Sequence, residues 1–165
     1  MGMGRYRPPA VRGSAYITAE GFQALQDESA ALWKTRAEVT LALSAAAAEG
    51  DRSENAEYIY RKKQLREIDR RIRYLQKRLD ELQVVSRKPD DVSRIYFGAW
   101  VTLENEAGEE VVYRIVGPDE FDLNKGFISM DSPVAKALMK KTLDDEVVIE
   151  RPTGQVIYYV LAIRY

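Results

Sequence analysis

Two apolar heptads in the first half of the chain constrain its fold more than any other feature. Leu65, Ile68, Ile72, Leu75, Leu79 and Leu82 recur at spacings of 3, 4, 3, 4 and 3, the a/d seam of a coiled coil. Upstream, Phe22, Leu25, Leu32, Val39, Leu43 and Ala46 keep the same rhythm, with polar Ser29 and Arg36 filling two gaps. No proline interrupts either stretch. Thr18 is the expected N-cap of the first helix, with Glu20 in its first turn. A narrow apolar stripe needs a partner, and an antiparallel hairpin supplies one. Pairing residues whose numbers sum to 104 sets Phe22 against Leu82, Leu25 against Leu79, Leu32 against Ile72, Val39 against Leu65 and Ala46 against Tyr58. The turn then falls at Arg52. At about 1.5 Å per residue each arm would be roughly 40 Å long, a slender rod with its turn far from the rest of the protein.

After Leu82 the period changes. Residues 84–93 contain Pro89 and two aspartates and read as a linker. Strands are expected at 100–105 and 110–116 around a turn at Gly108, with a shorter one at 127–130. Asp131 or Ser132 should cap a brief helix with Pro133 in its first turn, running through Ala135, Leu138 and Met139. A hairpin of 146–150 and 155–163, around Pro152, Thr153 and Gly154, closes the chain. The expected class is α+β: a helical coiled-coil hairpin followed by a small, mainly antiparallel sheet domain with a short helix. The expected divisions are a flexible arm over 1–15, the hairpin over 16–85 with its tip near 50–55, a linker over 86–98, and the sheet domain over 99–165. Tyr96, Phe97, Trp100, Tyr113, Phe121, Phe127, Tyr158 and Tyr159 are read as sheet core, and Asp131-Ser132-Pro133 most simply as a helix start.

Composition removes whole classes of chemistry. With no Cys and no His among 165 residues, disulfides, thiol nucleophiles, zinc–thiolate sites and imidazole bases are excluded. Chemistry is left to carboxylates, lysines, hydroxyls or a hard cation with oxygen ligands. No apolar run approaches the roughly 20 residues of a membrane-spanning helix. Residues 1–13 carry Arg5, Arg7, Pro8, Pro9 and Arg12 but no apolar segment, so they do not read as a secretory signal. A cytoplasmic location is expected.

The net charge of −1 hides a strong asymmetry. Nine basic residues between Arg61 and Arg78 face only Glu67 and Asp69, leaving +7 in that segment and −8 elsewhere. Pairs such as Glu67–Arg71 and Asp69–Arg73 at helical spacing would be ordinary, but nine cations cannot be paired by two anions. Lys62, Arg66, Arg70, Arg73 and Lys77 form a continuous stripe, suited to a phosphodiester backbone. At the turn, Gly50 would end one helix, and Asp51 or Ser53 would cap the next with Glu54 completing a capping box. Alternatively, Asp51 and Glu54 converge on a magnesium ion. Two side chains make only a weak site for so strongly hydrated a cation, so a partner would have to complete it.

Over residues 16–165 the chain resembles the Gre transcript-cleavage factors. Gly-Asp-Arg-Ser-Glu-Asn-Ala at 50–56 is similar to the tip signature of the GreB branch; the GreA branch usually lacks the Arg-Ser pair. Lys-Lys-Gln-Leu-Arg-Glu-Ile-Asp-Arg-Arg at 62–71, Phe-Gly-Ala-Trp-Val at 97–101 and Ile-Ser-Met-Asp-Ser-Pro at 128–133 are also GreB-like. Glu57 stands where an aspartate is common. The resemblance implies a finger that enters the secondary channel of a backtracked bacterial RNA polymerase, with no nuclease activity of its own. It implies that Asp51 and Glu54 share a magnesium ion with the polymerase and promote cleavage of the extruded RNA 3′ end. It further implies that Arg52, Lys62, Lys63, Arg66 and Arg70 hold that nascent RNA, and that Asp131, Ser132 and Pro133 dock an FKBP-like C-terminal domain on the channel rim. A monomer is expected. Competing readings are a prolyl isomerase or chaperone with a coiled-coil appendage, and a channel-binding regulator that does not cleave.

Overall fold

Thr18 begins the first helix as its position suggests: its Oγ1 accepts the Gly21 N–H at 3.0 Å, using a group that a helix N-terminus otherwise leaves without a partner. The computed structural model describes residues 13–51 and 54–165. They divide into two units, one of Ile17–Ser86 and one joining the residues up to Tyr16 with Arg87–Tyr165. Residues 1–12 of the expected arm lie outside the described residues.

The first unit is the helical hairpin. Helix α1 runs Ala19–Ala47 and α2 runs Ala56–Glu81, each about 40 Å long at 1.5 Å per residue. Their apolar stripes meet in two clusters. Ile17, Leu25 and Leu75 are buried with Phe22, Leu32, Leu79 and Leu82 around them, and Val39, Ile68 and Ile72 are buried with Leu32 and Leu65. The expected partners therefore share clusters: Phe22, Leu82, Leu25 and Leu79 in one, Leu32, Ile72, Val39 and Leu65 in the other. Arg36, the polar residue in the α1 stripe, is satisfied by Asp69 across the interface at 2.7 Å. One element was not expected. Strands β1 (Tyr16–Ile17) and β2 (Gln83–Val84) form a two-stranded sheet, and the Val85 N–H donates to the Ile17 carbonyl at 2.9 Å. Two residues are too few to show a period, so nothing in the sequence distinguishes them from linker.

The second unit is built on a five-stranded sheet in the order β5-β4-β3-β7-β6. Its strands are β3 (Trp100–Asn105), β4 (Glu110–Val116), β5 (Phe127–Ser129), β6 (Glu146–Arg151) and β7 (Gly154–Arg164), and helix α3 spans Pro133–Leu138. Alternation along β3 buries Val101 and Leu103 completely while Trp100 and Thr102 stay half-exposed. The buried side chains join Ile115, Ile128, Val147, Ile149, Val160, Ala135 and Leu138 in one core. Ser132, not Asp131, caps α3, accepting the Ala135 N–H at 3.2 Å. The sheet is mixed rather than wholly antiparallel, because β4 and β5 run parallel. The intervening residues make short 3₁₀ turns at Pro118–Glu120 and Leu123–Lys125, which reverse the chain twice and bring β5 back alongside β4. Ile95 is fully buried in the core. Tyr165 accepts the Tyr96 N–H at 2.8 Å and donates to the Arg94 carbonyl at 2.6 Å. Residues 94–96 are thus part of this unit although the sequence reads as linker there.

Close approach fixes Gly117. A Cβ there would lie 2.0 Å from the Tyr16 carbonyl oxygen, a backbone atom. Gly117→Ala should destabilise the protein by about 1–3 kcal/mol or more through overpacking. Leu75→Ala, at a fully buried seam position, should cost about 2–5 kcal/mol. Urea unfolding midpoints followed by far-ultraviolet circular dichroism check both.

Candidate functional site

A side-chain amide bridges the two long helices at their loop. Asn55 is the N-cap of α2: its Oδ1 accepts the Tyr58 N–H at 3.1 Å, and its Nδ2 donates to the Ala46 carbonyl at 2.8 Å. One side chain thus satisfies a donor at the start of α2 and an acceptor at the end of α1. This corrects the expectation that Asp51 or Ser53 caps α2 with Glu54 in a capping box. It also moves the end of α1, which stops at Ala47 with Ala48 as C-cap. Gly50 stands beyond the helix at φ +132°, a backbone region that side chains disfavour. Asp51 and Glu54 are both exposed, and Glu54 makes no hydrogen bond or ion pair with another described residue. Arg52 and Ser53, including the expected turn position and RNA contact at Arg52, lie outside the described residues.

The tip can therefore present two carboxylates that are not needed to cap α2. Among the described residues no group of three or more acidic side chains converges. The donor set fits a magnesium ion only as two oxygen ligands of a site completed from elsewhere, since the ion takes about six in an octahedron.

On α2 the structure separates paired cations from unpaired ones. Arg71 donates through Nε and Nη2 to Glu28 of α1 at 2.7 and 2.9 Å, and these bonds hold the Glu28 carboxyl below the usual carboxylate range. Arg61 pairs with Glu57 at 2.8 Å, Arg78 with Glu81 at 3.8 Å, and Asp69 is taken by Arg36. The expected pairs Glu67–Arg71 and Asp69–Arg73 give way to bonds across the hairpin, because the seam brings Glu28 and Arg36 within reach. Lys62, Lys63, Arg66, Arg70, Arg73 and Lys77 are exposed, and none is in an ion pair among the described residues. Lys62 also lies 5.7 Å from the Tyr58 ring centroid, beside the start of α2. The stripe from the sequence is thus brought onto one helix as a row of unneutralised charge.

In the second unit, Asp131 is engaged within the fold. Its carboxylate accepts from the Ser14 N–H at 2.8 Å and from the Ser14 hydroxyl, tying down residue 14 of the expected flexible arm. Ser132 is used as the α3 cap, and Pro133 is exposed in its first turn. Of the aromatic residues read as core, Tyr158 is buried, whereas Phe121 and Tyr159 are exposed. Trp100 and Phe127 lie half-exposed on the opposite face of the sheet from the core. Strand alternation in β3 carried that information. The sequence points away from Asn55 because Asp51, Ser53 and Glu54, just before it, offer a more familiar capping pattern.

Asn55→Ala should lower stability by about 1–2 kcal/mol through the lost cap, while Glu54→Ala should stay within about 0.5 kcal/mol of the parent. Thermal melts of the two variants test the assignment. An equal loss in both would restore the capping role to Glu54.

Residues 15–84 match the family described as transcription elongation factor, N-terminal, and residues 89–165 match transcription elongation factor, GreA/GreB, C-term. The transcription elongation factor GreB of Pseudomonas aeruginosa is 57% identical over 164 residues, covering 99% of this chain and 98% of that one. The protein of the same name from Pasteurella multocida is 60% identical over 153 residues, covering 92% and 97%. The solved structure of GreA factor homolog 1 from Thermus thermophilus aligns with 92% of this chain and 99% of that chain at 23% identity. Its TM-score of 0.43 is too low to bear on the assignment. With identity above half over almost the full length of both chains, the protein belongs to the GreB branch of the GreA/GreB family of transcription elongation factors.

Proposed function

We propose that this chain reactivates backtracked bacterial RNA polymerase in the cytoplasm, acting as a monomer that stimulates cleavage of the extruded RNA without being a nuclease itself. The observation that carries the reading is the tip: Asn55 closes the hairpin, so Asp51 and Glu54 stand exposed at the end of a roughly 40 Å arm without being needed to cap α2. An arm of that length suits delivery into a narrow channel of the polymerase.

In this reading Asp51 and Glu54 contribute oxygen ligands to a magnesium ion shared with the polymerase. When bound, such an ion activates water and stabilises charge on phosphoryl oxygens. The protein's own part is to position the two carboxylates on a helix-bounded loop and to orient the attacking water. The unpaired cations of α2 draw the RNA backbone along the helix: Lys62, Lys63 and Arg66 nearest the tip, with Arg70 behind them and Arg52 at the turn. The Asp131–Pro133 turn docks on the polymerase, with exposed Pro133 leading the contact because Asp131 and Ser132 already hold Ser14 and α3.

The test adds the protein to a halted, backtracked elongation complex. The parent chain should shorten the RNA. Asp51→Ala and Glu54→Ala should each reduce cleavage to that of polymerase alone, with polymerase binding nearly unchanged. Normal cleavage by both variants at full occupancy would remove the tip from the mechanism. Alanine at Lys62, Lys63 and Arg66 together should slow cleavage of long extruded RNA more than of dinucleotide-length ends. It should also lower the salt dependence of RNA engagement by a slope of about 0.7 per lost phosphate contact. Equal activity on both RNA classes would leave the stripe as a solvated face.

A further inference from the structure

The outer face of the C-terminal sheet carries an arrangement that the cleavage reading does not use. Four strands set four residues in one row. Phe127 on β5 lies opposite Arg114 on β4, Arg114 opposite Trp100 on β3, and Trp100 opposite Arg164 on β7. Pleating turns the row away from the core, since the neighbours Val101, Ile115 and Ile128 are buried.

Rings and cations alternate along it. The Arg164 Cζ is 4.7 Å from the Trp100 ring centroid, and the Arg114 Cζ is 5.5 Å from Trp100 and 5.9 Å from Phe127. Lys125 Nζ lies 5.9 Å from Phe127. The two rings meet edge to face with centroids 5.8 Å apart. Their strands are two spacings apart, roughly 9.6 Å, so the side chains lean together over β4. None of these three cations is in an ion pair among the described residues, and Arg114 uses its Nε–H on the Gly98 carbonyl at 3.3 Å.

Cation–π contacts by themselves help to hold a sheet face together, but three cations around two rings, with one carboxylate at the end of the row, leave a surplus of positive charge. That carboxylate is Asp122, the antiparallel bridge partner of Phe127, and its Oδ1 accepts the Asn124 N–H at 3.0 Å. The others of this face stand further off. Glu104 lies opposite Glu110 and Tyr159, and Tyr159 opposite Glu146, in a row four residues further along β3. That is about 13 Å away, beyond a Debye length of roughly 8 Å. Thr102, Val112 and Ala162 between the rows are uncharged.

We propose that the Phe127-Arg114-Trp100-Arg164 row is a binding surface for single-stranded RNA, separate from the α2 stripe. A guanidinium stacked on an indole is held flat. Its outer plane can receive a nucleobase while its N–H groups reach phosphate oxygens, and the rings extend the stacking surface. An acidic protein segment would answer the charge but not the planes. A single strand answers both. The inference does not depend on the cleavage reading, since a chain inactive in cleavage would still bind RNA here.

The test uses the full chain with Trp33→Phe, which leaves Trp100 as the sole fluorophore of the two tryptophans, and with Lys62, Lys63 and Arg66 changed to alanine to suppress binding by the hairpin. A short oligouridylate should quench Trp100 and gain anisotropy, whereas an abasic strand of equal length and an oligoglutamate of equal charge should bind more weakly. Arg164→Ala, at an exposed position, should weaken RNA binding about tenfold with an unchanged circular dichroism spectrum. Arg164→Lys should fall between. Lys125→Ala should lower the salt slope by about 0.7. Equal affinity for the abasic strand, tighter binding of oligoglutamate, or RNA affinity indifferent to Arg164→Ala and Lys125→Ala would each overturn the proposal.

Discussion

Two helices that each carry a narrow apolar stripe bury it chiefly against each other, with Ile17 of β1 joining near one end. Leu25 and Leu75 near the base, and Val39, Ile68 and Ile72 further along, make that mutual burial continuous over most of both helices. Isolated helices are marginal in water because nucleation is costly. The seam therefore supplies the stability, and it also sets the register. Everything at the tip inherits its position from this register, since the loop can close only where the two stripes run out together.

The same seam sorts the charges. An apolar stripe with a polar gap at Arg36 needs an anion opposite, and Asp69 supplies it. Glu28 at the flank of the interface captures Arg71 through two nitrogens. These bonds use residues that face the partner helix and leave the outward-facing cations without an ion pair among the described residues. A helix with nine basic residues is thus divided by geometry into a structural set and an available set. The available set is a fixed row of unneutralised positive charge along one helix.

The C-terminal unit solves a different problem. Its strands bury one face under α3 and leave the other to solvent, the usual division for a sheet with a single covering layer. On the open face the large rings of Trp100 and Phe127 are covered by guanidinium and ammonium groups rather than by apolar neighbours. This keeps the face wet while fixing its side chains. Asp131 draws Ser14 against the same unit, so residues from both ends of the chain contribute to it.

The sequence by itself determined the hairpin, the residues of its seam, the basic stripe, the acidic residues of the turn and the strands at Trp100–Asn105 and Glu110–Val116, because each rests on a period or a charge count local to the chain. Tertiary structure alone decided that Asn55 caps α2, that Arg71 belongs to Glu28, and that β5 runs parallel to β4. It also decided that Trp100 and Phe127 face away from the core and meet Arg114 and Arg164. These outcomes depend on which groups come within hydrogen-bonding or ring-contact distance once distant segments pack. Periodicity says which face of an element is apolar; it does not say which of several nearby polar groups will be close enough to bond. The choice among competing caps and ion partners is made by distances of a few ångströms, and those exist only in the folded chain.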